Sequence, residues 1–228
     1  MPGLGTLMNV FAVVLGTAVG ALVGGRLPLR VRDTVMDGLG LLTFTLGISM
    51  AIKTENFMIV LGAILLGGLT GELLHLESGI ERVGDYFQAR LASDSSTFSA
   101  GFVTASLLFC VGPMAVLGSL ADGLRHDTKI LAVKSVLDGF AALGFATTLG
   151  WGVAFSGLSL LIYQGALTLG AGAVEHVLTE PMIREMTAVG GLMVFGTGLR
   201  LLDIRKVRVA SFLPALVYAP LLVALTSR

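Results

Sequence analysis

FVTASLLFCVGPMAVLGSLADGLRHDTKILAVKSVLDG, residues Phe102 to Gly139, decides how the rest of this chain is read. An apolar run is broken in its middle by Gly112-Pro113 and closed by Asp122-Gly123. A second apolar run follows at once, and its first turns carry Lys134, Ser135 and Asp138. Charges and helix breakers inside hydrocarbon are costly, and where they occur they face a cavity or one another. Function is therefore expected here first. Lys134 and Asp138 stand four apart, on one face of a helix. At 1.5 Å per residue Asp138 lies roughly 10–14 Å below the helix start, inside the hydrocarbon rather than at its edge. An intrahelical ion pair neutralises itself but does not explain why both charges are present, since removing both is cheaper than burying a pair.

Composition sets the class. Of 228 residues 54% are hydrophobic and 13% charged, with a mean hydropathy of +0.89, about half the charge of an ordinary soluble domain. The apolar residues come in blocks separated by short charged stretches, the pattern of an all-α integral membrane protein and not the alternation of a β-barrel. The formal net charge of zero gives no electrostatic case for nucleic acid. The single cysteine, Cys110, rules out an internal disulfide and a thiolate metal cluster. No cofactor is implied, and the expected partner is the lipid bilayer.

About eight spans are expected in one polytopic domain, residues 1–228. The first, about 4–25, carries Gly16, Gly20 and Gly24 at every fourth position, a face to which another helix can come close. Asn9 in the same span needs a buried partner. After Arg26, Arg30 and Arg32, with Pro28 suited to a first helical turn, come spans at about 38–52 and 57–74, the latter ending in Glu72, read as interfacial. Residues 76–92 read as an amphipathic surface helix, with Ile80, Val83, Phe87 and Leu91 on one face. A polar linker, 93–98, follows. The fourth span, about 99–120, holds the Gly112-Pro113 break and is either kinked or two half-helices. Asp127 or Thr128 caps the fifth, about 129–149. The sixth, about 153–173, has Tyr163 and Gln164 near its centre, and a midplane glutamine is expected to bond another helix or line a polar path. The seventh and eighth cover about 186–202 and 207–225.

Two further patterns bear on topology. Arg26, Arg30, Arg32, Arg82, Arg90 and the Arg200 to Arg208 cluster fall on one side; Lys53, Arg125, Lys129 and Arg184 fall on the other. The positive-inside rule then places both termini outside and the surface helix in the cytoplasm. The first span, glycine-laddered and ending in Arg26, reads as a span and not as a cleavable signal. Gly40-Leu41-Leu42-Thr43-Phe44-Thr45-Leu46-Gly47-Ile48 is echoed by Gly191-Leu192-Met193-Val194-Phe195-Gly196-Thr197-Gly198-Leu199. The echo predicts inverted repeats of spans 1–3 and 6–8 with spans 4–5 inserted, an architecture of secondary transporters.

The runs Ser106 to Ala115, Gly118-Ser119, Asp122-Gly123, Lys134-Ser135, Leu137-Asp138-Gly139 and Tyr163-Gln164-Gly165, with Gly5-Thr6, Asn9 and Gly47-Ile48-Ser49-Met50, resemble the YqgA-like family of bacterial inner-membrane proteins. The similarity spans nearly the whole chain and departs at Pro113, where a small residue is more usual. It implies a multi-pass protein of the bacterial inner membrane in a family of unknown function described only as candidate transporters.

Two function classes follow. A transporter or channel for a small ion or polar solute would place its site between the broken fourth span and the fifth. There Asp138 and Asp122 give negative charge, Gly112 backbone carbonyls, Asn9, Gln164 and the threonines neutral oxygens, and Ser135 a hydroxyl beside Lys134. Such oxygen-rich donors suit protons, sodium, magnesium or manganese, whereas Lys134 suits pairing with Asp138 or an anionic solute. A non-catalytic scaffold, assembled as a homo-oligomer through glycine faces, is the alternative. An enzyme is not expected: His75, His126 and His176 lie near span ends, and no His-Glu-x-x-His or Gly-x-Ser-x-Gly pattern occurs.

Overall fold

The apolar runs fold as helices. The computed structural model describes residues 2–79, 82, 86, 98–110, 112–175 and 177–226, and the regular elements among them are all helical. They are α1 (Leu4–Gly24), α2 (Leu29–Ala51), α3 (Phe57–Leu73), α4 (Phe98–Cys110), α5 (Pro113–Arg125), α6 (Lys129–Leu149), α7 (Gly152–Leu169), the short α8 (Ala171–Glu175), α9 (Glu180–Leu201), a 3-10 turn (Val209–Phe212) and α10 (Ala215–Thr226). The surface helix expected at 76–92 and the linker at 93–98 lie largely outside the described residues.

Among the described residues five helical stretches are long and apolar enough to cross a membrane, the fifth being the 3-10 turn together with α10, or six when the bent pair α4–α5 counts as one. The sequence count of about eight included α3, which is 17 residues long, and α9, whose ends carry Glu180, Arg184, Glu185 and Arg200. Large apolar side chains such as Phe11, Leu42, Leu69, Phe140, Ile162 and Leu221 are exposed, as on a surface meeting lipid. α2 begins nine positions earlier than the apolar run at 38–52, because Arg30, Arg32, Asp33 and Asp37 continue the helix rather than ending it.

The described residues group into two compact units, one of residues 1–37 and 83–177, the other of 38–82 and 178–228. α2 contributes to both. In the first unit the glycine ladder of α1 lies on the backbone of α6. A Cβ on Gly16, Gly20 or Gly24 would strike the carbonyl oxygens of Gly139, Leu143 and Thr147 respectively. The constant offset means that α1 and α6 run parallel and in step, at the close approach that small residues permit. α4 begins beside Leu149 and Val153 through Gly101, and α5 ends against Thr168 and Ala171 through Gly123. The pair therefore runs the length of α7, from its start to its end, although bent by 61° at Gly112.

In the second unit Val60, Ala63, Ala188, Val189, Ala215 and Ala219 form a core of small side chains. α2 and α9 cross at the echoed motif. Gly47 lies against the Phe195 backbone and Gly198 against that of Phe44; Gly40 faces Leu202 and Gly191 faces Ala51. The Phe44 and Phe195 rings are 4.6 Å apart. Each copy of the motif thus packs on the other, and equivalent positions exchange contacts.

Carboxylates tie this unit's ends. Glu72 is exposed and pairs with Arg208 at 2.6 Å. Glu77 bonds Arg200 at 3.1 Å and the Ala210 amide at 2.8 Å. Glu185, 2% exposed, accepts the Thr54 hydroxyl at 2.5 Å and the Glu55 amide at 3.0 Å. Glu185→Ala strips both donors of their acceptor and should destabilise the protein by roughly 1–3 kcal/mol. Glu185→Gln keeps one acceptor oxygen and should lose about half of that, as thermal midpoints in detergent will report.

Candidate functional site

The site is built where α1, α6 and α7 meet. The ladder of α1 fixes its register on α6, and that register brings Asn9 to Asp138 across 129 residues of chain: Asn9 Nδ2 donates to Asp138 Oδ2 at 3.0 Å. Lys134 Nζ donates to the same carboxylate oxygen from one turn earlier on α6. Asn9 Nδ2 also lies 3.5 Å from Gln164 Oε1 on α7. Asn9 and Gln164 are fully buried, Lys134 and Asp138 nearly so. The face of the Phe109 ring, at the end of α4, stands 5.9 Å from Lys134 Nζ and holds the ammonium by a cation–π contact. The arrangement joins one anion, one cation and two carboxamides, and it leaves Asn9 Oδ1 and Gln164 Nε2 without hydrogen-bond partners among the described residues. Buried polar atoms of native proteins rarely stay so.

Of the residues expected in the site, Asp138, Lys134, Asn9 and Gln164 come together. Three do not join them in this way. Ser135 turns its hydroxyl back to the Leu131 carbonyl, at 2.6 Å within its own helix. Gly112 gives its carbonyl to the Ala115 amide, opening α5, so the broken helix uses that carbonyl for itself. Asp122 lies nearer the start of α1, where Oδ2 accepts the amides of Gly3 and Gly5, both at 3.1 Å. The N-cap of α1 is Gly3, at φ 91°, with no side chain of its own. Asp122 thus caps α1 from another helix, a favourable place for a carboxylate at a helix N-terminus.

The pattern of a family described as "Protein of unknown function (DUF554)" matches residues 4–224. The chain belongs to the DUF554 family. It is 35% identical to the uncharacterized protein YqgA of Escherichia coli (strain K12), over 98% of each chain, which bears out the family resemblance. It is 28% identical to the uncharacterized membrane protein YdfK of Bacillus subtilis (strain 168), over 96% of this chain and 95% of that one. A shorter stretch of 114 residues is 30% identical to a candidate manganese efflux pump, MntP, of Desulforudis audaxviator, covering 45% of this chain and 63% of the pump. No solved structure matches the chain.

Sequence reasoning about this DUF554 protein missed Phe109, Thr6, Ser119 and Thr168, all buried in the same unit. Phe109 lay within the quoted stretch, but one aromatic residue in an apolar helix signals only packing. No one hydroxyl stood out from the other threonines and serines, because a threonine in a helix ordinarily bonds its own backbone. Thr70, Thr187 and Thr197 do so here.

Proposed function

We propose that this DUF554 protein carries a small hard cation across the bacterial inner membrane, with Asp138 as the binding carboxylate and Lys134 as its exchangeable counter-ion. The observation that carries the reading is the convergence, from three helices, of Asp138, Lys134, Asn9 and Gln164 in a buried site whose carboxamides are only half engaged. Asp138, Asn9 Oδ1 and Gln164 Oε1 are hard oxygen donors. A cation arriving among them competes with the Lys134 ammonium for the same carboxylate. Two positive charges at one carboxylate repel strongly at low dielectric, so the arriving cation displaces the Lys134 ammonium from Asp138, and return of the ammonium ejects the cation. The cycle is cation transport coupled to protons through the Asp138–Lys134 pair. Among the described residues no three carboxylate, imidazole or thiol groups converge, and a site of one carboxylate and carboxamides suits transit rather than tight storage. The partial likeness to a candidate manganese efflux pump makes manganese the first cation to try.

The same reading takes α4–α5 as one broken span and counts α3 and α9 as crossings, giving eight with both termini outside. Exchange of equivalent contacts between the echoed motifs, Gly47 with Phe195 and Gly198 with Phe44, is what a twofold axis in the membrane plane produces, and it supports an inverted repeat.

The test is manganese, magnesium and sodium flux in sealed proteoliposomes with and without an imposed pH gradient. Wild-type protein is expected to move at least one of the three, faster with the gradient opposed to the cation. Asn9→Ala should lower that flux at least tenfold, since it removes a ligand and loosens Asp138. A folded protein that moves none of the three sinks the reading in favour of a scaffold.

A further inference from the structure

The buried polar strip continues beyond Asp138 toward the start of α1. One turn from Asn9 along α1 stands Thr6, one turn from Gln164 along α7 stands Thr168, and one turn beyond Ser119 along α5 stands Asp122. Ser119 and Asp122 are fully buried, Thr6 is 1% exposed and Thr168 3%. Thr6 Oγ1, Ser119 Oγ, Asp122 Oδ1 and Thr168 Oγ1 have no hydrogen-bond partner among the described residues. Two contacts set Thr6, Asp122 and Thr168 at one level. Asp122 Oδ2 reaches the Gly3 and Gly5 amides, next to Thr6, and the Gly123 backbone abuts the Thr168 carbonyl. From Asn9 to Thr6 and from Gln164 to Thr168 the rise is about 4.5–6 Å.

Capping accounts for Oδ2 of Asp122 and for nothing else in this cluster. A cap asks for no buried hydroxyls on three neighbouring helices, and several helical hydroxyls elsewhere in this chain bond their own carbonyls, as Ser135 and Thr187 do; Thr17 of α1, outside this cluster, is also buried without a partner among the described residues. One carboxylate oxygen and three hydroxyl oxygens form a hard donor set for a small cation.

We propose that Asp122, Thr6 and Thr168, with Ser119 between the levels, form a second cation site one helical turn from Asp138. A cation moving between Asp138 and the end of this unit where α1 begins passes through it. The inference rests on the transport reading of Asp138 and adds to it a path and a side.

Manganese is the probe, measured both as flux in proteoliposomes and as equilibrium binding to the detergent-purified full chain. Thr6→Val with Thr168→Val keeps side-chain shape and leaves the cap untouched. Manganese flux by this double variant should fall at least tenfold, while the manganese affinity of the Asp138 site stays within twofold of wild type because Asp138 is intact. Asp122→Asn, which keeps an acceptor for the Gly3 and Gly5 amides, should behave in the same way. Flux within twofold of wild type in the folded double-valine variant overturns the second site and leaves Asp122 as a cap. Loss of binding together with flux, at an unchanged thermal midpoint, overturns it as well, by making the two levels one site. Wild-type protein that neither binds nor moves manganese removes the Asp138 reading for that ion and the second site with it.

Discussion

Asparagine at position 138 should abolish cation flux, at least a hundredfold below wild type, and should also destabilise the protein unless Lys134 is changed with it. The side chains of Lys134 and Asp138 are only 8% and 11% exposed. Removing one partner of a buried pair leaves an uncompensated charge, which typically costs about 3–5 kcal/mol. Replacing both with uncharged residues is often neutral, so Lys134→Met with Asp138→Asn should recover most of the thermal midpoint and none of the flux. The single Lys134→Met variant separates the roles of the pair. If the ammonium competes with the transported cation, its removal should tighten cation binding at least tenfold and still stop turnover, because nothing then ejects the ion. A pair that serves only to hold α6 would give the opposite result: Lys134→Met binding no cation, and the double variant functioning as well as wild type.

Most of the helical framework was legible because hydrocarbon imposes it, and the Asp138 level was legible because polar residues at mid-helix are few and must find one another. Asn9, Lys134, Asp138 and Gln164 are such residues. The partners of Asp122 were not legible. They are backbone amides 117 and 119 residues away, and an amide has no letter in a sequence. The bonds of Gly112 and Ser135 were not legible for a related reason: each is made within its own helix, a local bond that the long-range pattern did not reveal. The apolar run at 38–52 marked only part of α2; its charged first turns, just after Pro28, continue the same helix. The echoed motif marks the crossing of α2 and α9, where a glycine three positions after a phenylalanine in each copy packs on the other's phenylalanine backbone in the antiparallel sense.

Alanine at Gly16 and at Gly20 should damage the site from a distance. Each new Cβ would meet a backbone carbonyl of α6, at Gly139 and at Leu143, and backbone does not swing aside as a side chain can. α1 must then lift from α6 or slide along it. Either movement takes Asn9 off Asp138, whose bond to it is 3.0 Å long, and a shift of about 1 Å already weakens a hydrogen bond of ordinary length substantially. The double variant should therefore show a lower thermal midpoint and flux reduced at least tenfold, although neither glycine touches the charged pair. Gly38→Ala is the control of opposite sign. A Cβ there meets nothing within 4 Å, and alanine within a helix gains roughly 0.5–1 kcal/mol over glycine, so that variant should match or exceed wild type in stability and keep its flux. Equal behaviour of the two changes would mean that the ladder does not hold α1 against α6, and the register that brings Asn9 to Asp138 would need another cause.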